Sequence, residues 1–127
     1  MIKVSKEEYY NAVCAQLPEL DYKMGLSTCM GDADFYLELL NDFSELPIKD
    51  ELERFFKEED AHNYCIKVHG FKNNAYSVGA REIGDLAYEL EKITKTGSFD
   101  GALEVQTHMF ELYDSVCRRY SDITVIS

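Results

Sequence analysis

Helix breakers are scarce in this sequence: 127 residues carry only two prolines, Pro18 and Pro47, and seven glycines. That scarcity suits long helices. Basic residues are also short, with 13 Lys+Arg against 24 Asp+Glu and a formal net charge of −11. Binding to phosphate backbones needs a basic surface, so a general nucleic-acid binder is excluded, and docking on anionic membrane is disfavoured. No apolar run approaches the roughly 18 residues of a membrane span. Met1 to Ser5 runs directly into Lys6-Glu7-Glu8, which is not the charged-then-apolar order of a signal peptide. The four cysteines, Cys14, Cys29, Cys65 and Cys117, contain no C-x-x-C pair, so neither a zinc ribbon nor a thioredoxin-like motif is present. A reducing cytoplasm with four free thiols is the expected setting.

What remains is the profile of one globular domain over residues 1–127, with 46% hydrophobic and 29% charged residues. Ser5-x-x-Glu8 has the form of a capping box and predicts a helix carrying Tyr9, Val13 and Leu17, ended by Pro18. A short segment spans about Asp21 to Met30, and Gly31-Asp32 predicts a break and a new cap. Phe35, Tyr36, Leu39, Leu40, Phe43 and Leu46 recur at helical spacing. Pro47 then marks either a kink or the first turn of a renewed helix carrying Leu52, Phe55 and Phe56.

Asp60 is the predicted N-cap of the next helix, where Ala61, Tyr64, Val68, Phe71, Ala75 and Val78 recur at steps of three and four. Gly79 ends it as a C′ glycine. Ile83, Leu86, Ala87, Leu90 and Ile93 form another amphipathic stripe, ending near Gly97. Ser98 or Asp100 is expected to cap the last helix, with Leu103, Met109, Phe110, Tyr113, Val116, Cys117 and Tyr120 inward. Tyr64, Tyr88, Tyr113 and Tyr120 are read as core residues whose hydroxyls reach the surface. No stretch alternates with period two for long. The expected fold is all-α, an antiparallel up-and-down four-helix bundle over about residues 20–123, with a helical N-terminal addition over about 1–18.

The helix after Asp60 carries the chemistry. At about 100° per residue, its apolar positions form a stripe, and His69 lies about 130° from the middle of that stripe, so it points away from the core. His62, Ile66, Asn73 and Tyr76 share the outer face, and Lys72 stands at its boundary. Exposed apolar groups around one reactive side chain suggest a docking surface. Gly70 costs helix stability, up to about 1 kcal/mol relative to Ala, and its small size could keep the approach to the imidazole open. A neutral imidazole nitrogen is nucleophilic near neutral pH, so reversible phosphoryl transfer fits, with Lys72 offsetting phosphoryl charge. Cys65 and His69, four apart, could share a zinc, but further ligands at suitable spacing are lacking and no metal is expected. A Cys-His hydrolase lacks the rigid turn and oxyanion loop it would need.

The segment from Asp60 through Val68-His69-Gly70-Phe71-Lys72 to Val78-Gly79-Ala80 resembles the core of a histidine-containing phosphotransfer (HPt) domain. The matching pattern is His69, an apolar residue two further on (Phe71), Lys72 at plus three, and Gly79-Ala80 about ten residues after the histidine. Leu86 to Glu91 is similar to the family's next helix, and Gly31 to Phe43 to its first long one, so the resemblance covers about residues 20–120. Asn73 stands where the family often has Gly, and Gly70 and Phe71 replace a more usual small or polar residue and Leu. The resemblance implies a phosphorelay intermediate of two-component signalling. His69 would take a phosphoryl group from the aspartyl-phosphate of one response-regulator receiver domain and pass it to another, without autonomous kinase activity. Lys72 would assist electrostatically, and Ile66, Gly70, Asn73, Tyr76 and His62 would form the docking face. The chain would need no cofactor, since Mg²⁺ belongs to the receiver. Its partners would be receiver domains and a hybrid sensor histidine kinase, and it is expected to be a stand-alone monomer. The alternative is a non-transferring helical module that docks on a receiver or kinase and blocks it. The phosphotransfer reading further expects the excess acids to lie mainly away from the face around His69.

Overall fold

A computed structural model describes residues 6–123. Among them, seven α-helices and no strands occur: α1 (Lys6–Gln16), α2 (Tyr22–Thr28), α3 (Ala33–Ser44), α4 (Ile48–Lys57), α5 (Ala61–Ser77), α6 (Arg81–Lys95) and α7 (Ala102–Ser121). The capping box expected at Ser5 lies outside the described residues. No helix among them is long and apolar enough to cross a membrane.

The helix starts follow from local side-chain chemistry. Asp21, Asp32 and Asp60 each accept a hydrogen bond from a backbone N–H of the turn that follows: Met24 at 3.1 Å, Asp34 at 3.0 Å and Asn63 at 3.1 Å, respectively. Each thereby satisfies a donor the helix leaves unpaired. At Pro47 the helix breaks: α3 ends at Ser44, and Pro47 takes the N-cap position of α4. The expectation for the last helix needs correction. Neither Ser98 nor Asp100 caps α7. Ser98 Oγ accepts from the Asp100 N–H at 3.0 Å, and the N-cap is Gly101 at φ 80, because the chain enters the helix through a left-handed residue that glycine adopts without strain.

Side-chain contacts fix the directions of packing. α5 and α6 meet through Cys65, His69 and Lys72 against Glu91 at one end and Tyr76 against Asp85 at the other, so they run antiparallel. Tyr64 with Gln106 and Phe71 with Tyr113 show α5 and α7 running the same way. Tyr36 with Val78 and Phe43 with Phe71 set α3 against α5 in the opposite sense, and Lys67 with Glu51 helps align α4. Helices α5, α6 and α7 therefore pack as a bundle.

Three aromatic groups fill the interior. Phe43 stacks on Phe71, and both meet Tyr113 edge-on; Phe56, Phe99 and Tyr64 close one end; Tyr10, Tyr22 and Tyr36 close the other. Leu17, Leu40, Leu52, Val68, Leu90 and Met109 are fully buried between them. Some expected core residues lie outside: Phe35, Tyr88 and Leu103 are exposed, since the apolar stripes of α3, α6 and α7 are narrower than spacing alone suggests. Nor do the Tyr64 and Tyr113 hydroxyls reach solvent. Tyr64 donates to Gln106 Oε1 at 2.7 Å and Tyr113 to the Phe43 carbonyl at 2.5 Å, both buried, which meets the requirement that buried donors be paired.

The Gly79-Ala80 turn between α5 and α6 is pinned to the N-cap of α2. Gly79 has φ +80, and a Cβ placed on it would lie 2.1 Å from the Asp21 carbonyl oxygen. Its own carbonyl accepts the Asp21 N–H at 2.8 Å. Only glycine allows two backbones to approach this closely. Ala80 beside it is buried in the core.

Candidate functional site

Helix α5 turns Tyr64, Val68, Phe71 and Ala75 inward and leaves His62, Ile66, His69, Gly70 and Asn73 exposed. The His69 side chain is 55% accessible, as the helical spacing requires. A Cβ added at Gly70 would meet nothing within 4 Å, so no packing within the chain demands glycine there. Beside it, Leu46, Pro47, Ile48, Ile66 and Phe71 line a groove edged by Glu51, Lys67 and Asn74.

His69 is held by a residue the spacing argument did not single out. Glu91, on α6, hydrogen-bonds Nδ1 of His69 and accepts from Lys72 Nζ at 2.8 and 3.3 Å. Its side chain is only 14% accessible. Burial by itself would raise the Glu91 carboxyl, but the hydrogen bonds from Lys72 and His69 outweigh it and hold the group below the ordinary carboxylate range. Glu91 is therefore ionised at neutral pH and can only accept hydrogen bonds. The proton of a neutral His69 then resides on Nδ1, which leaves the Nε2 lone pair on the solvent side. The Asn73 amide nitrogen lies 3.5 Å from that Nε2.

Lys72 is less free than its position at the edge of the face suggested. Its side chain is 15% accessible, bound to Glu91 and placed 5.1 Å from the centre of the Tyr88 ring. Lys92 approaches the same ring at 4.7 Å, both within cation–π range. Tyr88, expected in the core, thus serves as a platform for two ammonium groups beside the histidine.

The other expected docking residues divide. Ile66, Gly70 and Asn73 surround His69 on the exposed face. Tyr76 is half-buried: its ring packs where Gly84 leaves room, and its hydroxyl donates to Asp85 at 2.6 Å. Burial, then the Asp85 hydrogen bond, pushes its hydroxyl up to about 12. His62 is exposed but lies seven residues away, about 10 Å along the axis, and is not brought to His69. No group of three or more potential metal ligands occurs among the described residues.

Two acids lie on the side of the molecule that bears His69, although the excess acids are expected mainly elsewhere. Glu91 touches the ring itself, and Glu51 on α4 lines the groove that also borders Gly70. Both are matched: Glu91 by Lys72, and Glu51 by Lys67 at 2.5 Å. One signal could have identified Glu91. It falls on the buried stripe of Ile83, Ala87, Leu90 and Thr94, where a carboxylate must have a partner. No protein-family model matches the chain, and neither the curated proteins nor the solved structures give a match.

Proposed function

We propose that this protein is a phosphorelay intermediate in which His69 carries the phosphoryl group between receiver domains. The observation that carries the proposal is the single Glu91 carboxylate bound to both Nδ1 of His69 and Nζ of Lys72. A neutral imidazole whose Nδ1–H is held by a carboxylate presents its nucleophilic Nε2 outward. When Nε2 attacks the phosphorus of a receiver aspartyl-phosphate, the Nε2–P bond forms as the P–O bond breaks. The bonding pair leaves with the receiver's carboxylate. The ring then carries a phosphoryl group on Nε2, a proton on Nδ1 and a positive charge, which Glu91 compensates. Reversal onto a second receiver aspartate returns the ring to its neutral state, so no base need be regenerated.

The packing directions support the matching architecture. Both α3 and α4 run opposite to α5, so together they act as one rod interrupted at Pro47. That rod with α5, α6 and α7 makes an antiparallel up-and-down four-helix bundle, to which α1 and α2 are N-terminal additions. A rigid bundle holding the histidine on an open face suits a carrier whose partner brings the reactive aspartate and its Mg²⁺. In this reading the protein is a cytoplasmic monomer without kinase activity of its own, and its partners are receiver domains and a hybrid sensor kinase.

Incubated with a phosphorylated receiver domain that recognises it, the wild-type protein should acquire an acid-labile, base-stable phosphate. His69→Gln should not, and label persisting on that variant would refute the assignment. A module that only docks would bind the receiver and remain unlabelled in both forms.

A further inference from the structure

The sequence gives the role of neutralising the transferred phosphoryl group to Lys72, but its ammonium is already committed to Glu91 and the Tyr88 ring, and its side chain is largely buried. Among the described residues, the side-chain polar group at the outward nitrogen of His69 is instead the amide of Asn73. Its Nδ2 lies 3.5 Å from Nε2, one helical turn further along α5. That separation is long for a hydrogen bond, so Nε2 stays available for attack. A phosphoryl oxygen on Nε2, however, projects outward into the space beside this amide.

We infer that Asn73 binds the phosphoryl group, its amide N–H donating to a phosphoryl oxygen once His69 is phosphorylated and thereby holding the phosphate on this protein. The inference deepens the proposed function and rests on it. It replaces the reading of Asn73 as one more docking residue. The exposed position of Asn73 means that the hydrogen bond can form after the receiver has left. The Ser77 hydroxyl, which donates to the Asn73 carbonyl at 2.8 Å, fastens the backbone beneath it.

A docking residue changes how fast phosphoryl groups move. A residue that binds the phosphoryl group changes where they rest. The test therefore measures equilibrium. Wild-type protein is charged with phosphoramidate and mixed with an equal amount of Asn73→Ala. A trace of a receiver domain able to discharge the wild type then exchanges label between the two forms. The expected partition favours wild type by about tenfold, the scale of one charge-assisted hydrogen bond. Asn73→Asp, whose carboxylate repels the phosphoryl group, should lose more than Asn73→Ala. The same wild-type sample should show the Asn73 side-chain amide resonances displaced on phosphorylation and those of Asn74 little changed. Equal partition between wild type and Asn73→Ala would overturn the inference while leaving His69 as carrier. Failure of the wild type to take label on His69 would overturn both.

Discussion

Glu91 binds Nδ1 of His69 from a helix packed antiparallel to the histidine's own, 22 residues further along the chain. The bond selects the tautomer, and so decides which ring nitrogen is nucleophilic. Glu91→Ala should release the ring, leave Lys72 half-buried without its carboxylate, and slow phosphoryl transfer by about tenfold, the loss of one charge-assisted hydrogen bond. Long-range ¹H–¹⁵N spectra should show the proton confined to Nδ1 in wild type and shared between the nitrogens in the variant. Unchanged spectra and rates would remove Glu91 from the mechanism.

Lys72 is expected to act through Glu91 more than directly. Lys72→Ala should slow transfer in the wild-type background and have little further effect in Glu91→Gln, since the two mutations interrupt one network. Rates for the four forms of this double-mutant cycle check the point. Independent, additive losses would mean that Lys72 reaches the phosphoryl group itself.

The Glu91 carboxyl titrates lower in the folded protein than its ordinary value of 4.5. Its contribution to stability is therefore fully present above pH 4.5 and is lost as the pH falls through the depressed folded value. Wild type should be more stable than Glu91→Gln near neutral pH, and the gap should narrow below pH 4.5. Urea midpoints of both proteins across that range give the answer. A gap that widened on acidification would reverse the sign of the argument.

Gly70 should behave as a residue kept for access. Alanine there meets nothing within the chain and belongs to an exposed helix face, so Gly70→Ala should stabilise the protein by up to about 1 kcal/mol. Transfer should nevertheless slow, because the added methyl group stands beside the imidazole where a receiver must approach. A more stable variant with unimpaired transfer would show that the open space is not used.

Gly79 should be the opposite case. An alanine there combines a left-handed backbone, about 1–2 kcal/mol, with a Cβ driven into the Asp21 carbonyl. Gly79→Ala should lose at least about 2 kcal/mol in denaturant unfolding and loosen the junction of α2, α5 and α6. Wild-type stability would show that the junction yields easily.

The sequence by itself determined the helical class, the N-caps at Asp32 and Asp60, an interruption at Pro47 that it left as kink or new helix, and the outward placement of His69. All of these are local or periodic properties. A cap is decided by a side chain and the next turn, and a helical face by residues three and four apart. Tertiary structure decided what no period records. It brought Glu91 to His69, tied Lys72 down, turned Tyr76 onto Gly84, and left Tyr88 outside as a seat for two lysines. Each of these depends on the register in which α6 packs against α5. A shift of one residue in that register would turn Glu91 by about 100° and leave the imidazole without its partner.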